Sequence, residues 1–295
     1  MRLLERENID VFKWNDLVDS KSNTLYSYSW YLDSISENWC ILVNKDYTSG
    51  IALPYSTRLG VDTLYNPIFG GYSEYLGEEL PRDEFARLIS NRFSVIQISF
   101  SLPLLGEIHE VRKCQLIDNW SDYKTGSQAK SSLKKASKNN LNSEQTTDYQ
   151  SILSMTEKSL SGKFKGINKE SFKRLKSLVK IAGENDILIC FEISDSNAQG
   201  GIMCLEGGSS ILYLKGAVND SVKSIGGMYL ALSSAIEYAK SVGKRFDFGG
   251  SNADGVRKFN HNLGGDDVEY YHYEINNGPR WYRFSKKVAK KISKK

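Results

Sequence analysis

The chain has 295 residues, of which 40% are hydrophobic and 25% charged, a composition typical of a globular protein with one large core or two smaller ones. Its N-terminal stretch is charged throughout, and no apolar run reaches the length of a membrane span. We therefore expect a cytoplasmic protein without a signal peptide. The four cysteines are scattered and form no CxxC pair, which predicts buried, reduced thiols and no metal site.

The net charge of +4 is unevenly distributed along the chain. Residues 280–295, RWYRFSKKVAKKISKK, contain eight basic residues and no acid, which leaves a net charge of −4 for residues 1–279. A mildly acidic body argues against a broad nucleic-acid surface, and no DNA partner is expected. Apolar residues recur in the tail at helical spacing, namely Trp281, Phe284, Val288 and Ile292. We interpret the tail as a solvated terminal helix, while peripheral contact with a membrane surface or with RNA stays open.

Residues 10–120 have the pattern of helices followed by several strands. We expect helices at 12–20, 24–39 and 82–93, and strands at 39–45, 49–59, 94–100 and 110–118. The stretch 64–81, LYNPIFGGYSEYLGEELP, is predicted as a long aromatic loop, and both a binding role and simple packing of Tyr and Phe against a sheet stay open. Trp30, Tyr31 and Tyr72 are the candidates for substrate contact in this half.

The composition changes between Tyr123 and Asn142, where the chain is polar, basic and free of acids. This shift predicts a domain boundary, with a short helix at 131–138. The lysines of this stretch are Lys130, Lys134, Lys135 and Lys138. Such a run is commonly a solvated face, and a phosphate-bearing ligand is the alternative.

The second half is predicted to contain helices at 149–159, 169–182, 228–242 and 255–263, and strands at 186–193, 200–205, 210–217, 245–248 and 268–275. Its centre, residues 211–248, has the strand, helix, strand order of one βαβ crossover unit. The polar loop before the central helix carries Lys223, Ser224, Gly226 and Gly227. A phosphate cradle at the helix N-terminus and a plain glycine turn are both consistent with this loop, which matches neither the P-loop nor the dinucleotide pattern.

The segment FDFGGSNADGVRKFNHNLGG, together with SWYL, ALPYSTRLG and NPIFGG, resembles the Fem-type and related tandem proteins of the GNAT superfamily of acyltransferases. The resemblance covers about residues 5–275. It implies an α/β (α+β) chain with two GNAT-like domains in tandem, each a mixed sheet flanked by helices, with the acceptor in the cleft between them. The corresponding division is 1–122 for the N-terminal domain, 123–145 for a basic linker, 146–277 for the C-terminal domain with the cofactor loop, and 278–295 for the tail.

The resemblance also implies coenzyme A as the source of the acyl group. The residues expected to bind it are Gly216, Ala217, Lys223, Ser224, Gly226, Gly227 and Met228. Three positions depart from the family pattern. Lys223 stands where the superfamily has Arg or Gln and Met228 where it has Gly or Ala, and Asn260 follows Phe259 where Fem-type relatives often have lysine.

Amide formation needs a neutral amine, a polarised carbonyl and a route for protons. Asp247 and His261 are the candidates for proton transfer, and we expect them to share one proton path at the end of the strand 245–248. The alternatives are a carboxylate that caps a neighbouring loop for Asp247 and a plain surface histidine for His261. Tyr213 and Lys215 are predicted to share a face of the strand 210–217. They either line the acyl channel or are a packed tyrosine and a lysine whose ammonium group reaches solvent. Ser251, Asn252 and Asn260 complete the substrate candidates.

Together these observations predict an N-acyltransferase that moves an acyl group from acyl-coenzyme A to the amine of a nucleotide-linked amino sugar for surface polysaccharide. An aminoacyl-tRNA-dependent transferase that builds peptidoglycan cross-bridges is the rival enzyme, and tRNA is the partner it would require. A non-catalytic nucleotide-binding protein of the same fold is the third hypothesis.

Overall fold

The computed structural model of the protein describes residues 1–78, 81–161, 167–194, 200–250 and 253–284. The chain divides into two compact units. The first consists of Met1–Ser22, Tyr26–Arg112 and the chain from Glu269 onward, and the second consists of Asn23–Leu25 and Lys113–Val268. These bounds differ from the predicted division, because residues 123–145 lie inside the second unit and the chain returns to the first unit before residue 277.

The first unit begins with β1 (Arg2–Glu5), α1 (Val11–Lys21), α2 (Ser29–Ile35), β2 (Asn38–Val43), β3 (Gly50–Arg58), β4 (Val61–Tyr65), β5 (Tyr75–Leu76), α3 (Arg82–Arg92) and β6 (Val95–Phe100). The second unit is built from β7 (Glu110–Ile117), α4 (Ser127–Lys138), β8 (Asn142–Thr146), α5 (Tyr149–Leu160), α6 (Lys169–Glu184), β9 (Leu188–Ser194), β10 (Gly200–Gly207), β11 (Ser210–Val218), α7 (Asp220–Ser224), α8 (Gly227–Ser241), β12 (Arg245–Asp247) and α9 (Asp254–Asn262). The last strand, β13 (Asp266–Asn276), leads back to the first unit.

The sheet of the first unit has the strand order β1-β2-β3-β4-β6-β13, with β5 paired to β3. β4 and β6 are parallel and are connected through α3, whereas β1 to β4 are antiparallel neighbours. Every residue of β2 after Asn38 is buried, as expected of a strand covered on both faces. Phe85 and Ile89 of α3 pack into the core of this unit.

The sheet of the second unit has the strand order β7-β12-β11-β10-β9-β8. β11 and β12 are parallel and are joined by α8, so the predicted βαβ unit is confirmed. The core of this unit lies between one face of the sheet and α4 and α8, whose inward side chains are largely alanine. Small side chains let α4 and α8 approach each other closely.

Several elements differ from the predictions. α2 covers only Ser29–Ile35 of the expected helix, and α7 lies within the loop that was predicted to be irregular. α4 begins at Ser127, before the predicted start, because its buried positions are Ala129 and Ala136 and therefore produce no apolar pattern. β8 was missed since its sequence, NSEQT, is polar throughout.

None of the helices in the described ranges is both long and apolar enough to cross a membrane. The four cysteines are free and buried, as predicted. Burial raises the pKa of each of their thiols, so these side chains are held in the neutral form.

Candidate active site of the second unit

The two parallel strands at the centre of the second unit diverge soon after they pair. The register runs Ser210 to Arg245, Ile211 to Phe246 and Leu212 to Asp247, where β12 ends. β11 continues to Val218 alongside β10 alone. From residue 213 onward β11 therefore has no β12 residue beside it, so the pairing of the two parallel strands ends at Leu212.

A β-bulge lies in the part of β11 that has separated from β12. Met203 of β10 pairs with Lys215 and the next residue, Cys204, pairs with Tyr213, so Leu214 has no counterpart. Paired residues project to the same face of a sheet, and consecutive residues project to opposite faces. Tyr213 and Lys215 therefore lie on opposite faces, and the prediction that they share one is wrong.

Tyr213 belongs to the face covered by α8. Its ring packs against the core of this unit, together with Tyr229 of α8 and Phe259 of α9. The rings of Tyr229 and Phe259 touch at a centroid distance of 4.5 Å. Burial raises the pKa of the Tyr213 hydroxyl, assisted by the nearby Cys204 thiol, so the phenol stays neutral.

Lys215 projects from the other face and is half-buried. The described part of the chain offers its ammonium group no hydrogen-bond or ion-pair partner. Burial lowers the pKa of Lys215 from its ordinary value, because removing water disfavours the charged form. Lys215 therefore loses its proton more readily than a lysine whose ammonium group reaches solvent.

Asp247 ends β12 and is buried. Its carboxylate accepts a hydrogen bond from the Gly249 amide over 2.7 Å. Gly249 and Gly250 have φ angles of +76° and +62°, which explains why the DFGGS segment carries two glycines. Asp247 thus organises its own loop.

His261 lies on α9 and is held by two acceptors. Its Nδ1 is 2.7 Å from the Gly265 carbonyl oxygen, and its Nε2 is 3.1 Å from Asp267 Oδ1. A carbonyl oxygen only accepts, so Nδ1 is the donor in the contact with Gly265. Nε2 faces the Asp267 carboxylate, and His261 is thereby tied to the chain that follows α9.

The predicted proton path shared by Asp247 and His261 is absent from the described residues. Asp267 accepts from Gln115 Nε2 over 2.9 Å, which connects the His261 contact to β7. The register of β7 and β12 places Asp247 with Leu116, and so on the face opposite to the Gln115 side chain. Strand alternation therefore separates the two candidates.

Asn260 belongs to the same network rather than to an open surface. Its side chain is buried, and its Nδ2 donates to Gln115 Oε1 over 3.0 Å. Gln115 and Asp267 are the residues that sequence reasoning missed. The available signal was a glutamine inside the apolar strand run CQLI, since a buried polar side chain needs a partner.

The N-terminus of α8 does not form the open phosphate cradle that was predicted. Gly226 has a φ of +97° and a side chain there would meet the Ser132 carbonyl of α4. A side chain at Gly227 would meet Val222 of α7, and both glycines are buried. Packing accounts for the two glycines, so they are not the surface that a pyrophosphate would approach.

The other predicted cofactor residues differ in accessibility. Lys223 and Ser224 are exposed at the end of α7, where the Ser224 carbonyl accepts from Lys135 Nζ over 2.8 Å. Met228 is half-buried on the first turn of α8 and packs against the core. Gly216 and Ala217 belong to β11, and Gly216 lies against the backbone of β10.

The three aromatic candidates of the first unit form one cluster. Tyr26 makes edge contacts with Tyr31 and Tyr72, at centroid distances of 5.7 and 5.9 Å. Trp30 contacts Tyr31 at 5.5 Å, and the Tyr31 hydroxyl donates to the Phe69 carbonyl over 2.6 Å. The aromatic loop thus packs on this cluster. Ser251 and Asn252 lie outside the described residues.

Comparison with solved structures identifies the fold. The chain is similar to FemX over 94% of its length and 98% of that chain, with a TM-score of 0.63 and 11% identity. The chain has the fold of the Fem-type tandem GNAT proteins. No family model matches the sequence. A search of the curated proteins also finds no match.

Two further structures have the same fold. The C-terminal domain of a putative lysylphosphatidylglycerol synthetase from Agrobacterium fabrum is 10% identical, with a TM-score of 0.59, and the similarity covers 91% of this chain and 92% of that one. An acetyltransferase of the GNAT family from Colwellia psychrerythraea is 11% identical, with a TM-score of 0.53 and coverage of 93% and 100%. At 10–11% identity the similarity shows the fold alone.

Proposed function

We propose that the protein is an N-acyltransferase that forms an amide between an activated acyl group and an amine. The observation that carries this proposal is the divergence of β11 from β12 after Leu212, followed by the bulge at Leu214. The free edge of β11 offers backbone N–H groups to the acyl carbonyl, and such donors stabilise the oxyanion that develops on attack.

Lys215 is the proton acceptor in this proposal. The amine nitrogen of the acceptor attacks the carbonyl carbon, the new C–N bond forms, and the bond from that carbon to the sulfur or oxygen of the donor breaks. The proton lost by the amine passes to Lys215 Nζ, and the leaving group takes up a proton. Asp247 lies on the same face as Lys215 and holds the loop at the end of β12. His261 supports the fold of α9 from the opposite face.

The first specific form of the reaction uses acyl-coenzyme A and a nucleotide-linked amino sugar. The chain has the fold of a GNAT acetyltransferase, and Lys223 and Ser224 are exposed next to the N-terminus of α8. A cation beside a helix N-terminus suits a phosphate group. With Gly226 and Gly227 buried, these two exposed residues are the members of the predicted loop that remain available to the cofactor phosphates.

The second form uses an aminoacyl-tRNA, and α4 is the observation in its favour. Lys130, Lys134 and Lys138 recur at steps of four residues along the exposed side of this helix. None of the three pairs with an acid in the described ranges, and the sequence has no acid between Tyr123 and Ser143. An unpaired cationic stripe suits a phosphodiester backbone. FemX and the synthetase domain share the fold on which this stripe lies.

Direct transfer assays separate these forms. The purified chain is incubated with acetyl-coenzyme A and a panel of nucleotide-linked amino sugars, and separately with charged tRNA and a peptidoglycan precursor, and amide products are measured by mass spectrometry. Product with either donor supports acyl transfer, and the productive donor decides the form. If no amide forms while a nucleotide raises the melting temperature, the chain is a binding protein and the proposal is wrong.

Substitutions on two helices sharpen the donor assignment. Replacing Lys130, Lys134 and Lys138 by Gln should flatten the salt dependence of tRNA binding by roughly two to three units of the log–log slope. The matched control replaces Lys169 and Lys173 of α6, which are also exposed and four residues apart. An equal effect of both sets would contradict a tRNA site on α4.

A further inference from the structure

Residues 280–284 form a helical turn that one inward side chain attaches to the first unit. Tyr282 is only 2% exposed, and it packs against Val61 and Val95. Its hydroxyl lies 3.2 Å from Thr63 Oγ1. The position of the turn is therefore determined by the fold rather than by the chain end.

The outer side of this turn exposes two large apolar rings. Trp281 is 53% exposed and Phe284 is 70% exposed. Residues three apart on a helix lie on the same side, so the rings are neighbours on one surface. Arg280 and Arg283 are exposed on the same turn, and neither pairs with an acid in the described part of the chain.

The charged residues that neighbour this turn in the C-terminal sequence are all positive. The sequence contains no acid from Ile275 to its last residue, and six lysines follow Phe284. Isolated apolar residues are common on protein surfaces and need no explanation. Trp281 and Phe284 differ from such isolated residues because they are adjacent and lie at the start of a basic segment without acids. The same surface therefore combines an apolar contact with concentrated positive charge.

We propose that Trp281 and Phe284, together with Arg280 and Arg283, dock the protein on an anionic lipid bilayer. Tryptophan and phenylalanine rings enter the headgroup region, while arginine and lysine are attracted to acidic lipids. The sequence beyond Phe284 adds Val288 and Ile292 at helical spacing. Aliphatic side chains have no π-face on which a base could stack, so this pattern suits a bilayer better than RNA.

Flotation of the full chain with lipid vesicles tests the docking, and it is independent of the proposed enzymatic activity. Vesicles of phosphatidylglycerol and phosphatidylcholine should bind the protein, and vesicles of phosphatidylcholine alone should not. Raising the ionic strength to about 1 M, where the Debye length falls to about 3 Å, should weaken the binding. Equal binding to both vesicle types, or none to either, would overturn the proposal.

Variants of the turn separate the apolar contribution from the electrostatic one. Trp281→Ala combined with Phe284→Ala should weaken vesicle binding by roughly 10-fold or more. Arg280→Gln and Arg283→Gln should each weaken it by roughly 5-fold. The matched control is Phe12→Ala on α1, which removes a ring that is 85% exposed outside the basic segment and should leave binding unchanged.

The variants keep Tyr282 in place, and circular dichroism verifies that they are folded. If binding survives loss of both rings, the rings do not enter the bilayer and the proposal is wrong. If a single-stranded RNA binds with the same dependence on the rings while vesicles do not, the segment is a nucleic-acid surface instead. Quenching of Trp281 by brominated lipid, measured against Trp281→Phe, should be seen only with anionic vesicles.

Discussion

The hydrogen bonds of Gln115 provide a quantitative test of the roles of Asn260 and His261. The Gln115 side chain is fully buried, its Nε2 donates to Asp267 over 2.9 Å, and its Oε1 accepts from Asn260 over 3.0 Å. Gln115→Leu occupies a similar volume and removes both bonds. A bond to a carboxylate contributes about 1.5–3 kcal/mol, and a buried amide left without a partner costs about 1–3 kcal/mol.

Asp267 keeps its contacts with Lys113 and His261 in the Gln115→Leu variant. The free-energy cost of losing the Gln115–Asp267 hydrogen bond should therefore lie at the lower end of the range for a bond to a carboxylate. We expect Gln115→Leu to lower the free energy of unfolding by about 3 kcal/mol, and Asn260→Leu by about 2 kcal/mol. The double variant leaves neither amide orphaned, so its loss should fall short of the sum by about 1–2 kcal/mol.

Urea unfolding of the four proteins measures this cycle, and strictly additive losses would refute the network. The same proteins then report on catalysis. Under conditions where Asn260→Leu is folded, its kcat for amide formation should stay within about 3-fold of the wild-type value, because the side chain only supports α9. A decrease of roughly 100-fold would return Asn260 to the substrate site.

Two further predictions concern Lys215 and Gly226. Lys215→Met should lower kcat by roughly 100-fold or more. Burial lowers the pKa of Lys215, so the unfolded chain binds this proton more tightly than the folded chain does. The free energy of unfolding of the wild type should therefore increase as the pH rises from the folded-state pKa towards 10.5. The Met variant should be more stable than the wild type at lower pH, and pH-dependent unfolding should show this difference shrinking over the same range. A stability difference that is independent of pH would contradict this.

Gly226→Ala should lower the free energy of unfolding by about 3 kcal/mol, since it strains a left-handed backbone and displaces Ser132. Gly243→Ala has open space and a φ of +67°, so it should cost only about 1–2 kcal/mol, and equal losses would show that α4 does not press on Gly226.

The packing around Gly227 changes how the phosphate-cradle hypothesis can be tested. From the sequence, Gly227→Val is a test of cofactor binding, because a bulky side chain would keep a pyrophosphate from the helix N-terminus. In the structure the added side chain would collide with Val222, so the substitution should lower stability first. A loss of coenzyme A binding by that variant therefore has a structural explanation, and Lys223→Gln is the better probe.

The sequence by itself determined the type and order of most elements of the second unit. Apolar residues at helical spacing and short apolar runs predicted α5, α6, α8 and β9 to β12 within a few residues. These signals survive because each element buries one face, and burial selects for apolar residues at the period of that element. The βαβ unit followed from the same patterns, and the DFGGS segment indicated the fold.

The tertiary structure alone decided which candidate residues meet. The bulge at Leu214 comes from pairing with β10, and it moves Lys215 to the face opposite Tyr213. The register with β7 places Asp247 away from His261, and α4 buries Gly226. Register, bulges and helix packing depend on contacts between segments distant in sequence. Local periodicity does not depend on those contacts. The sequence therefore predicted the helices and strands, whereas the tertiary structure determined which face of the sheet each candidate side chain occupies.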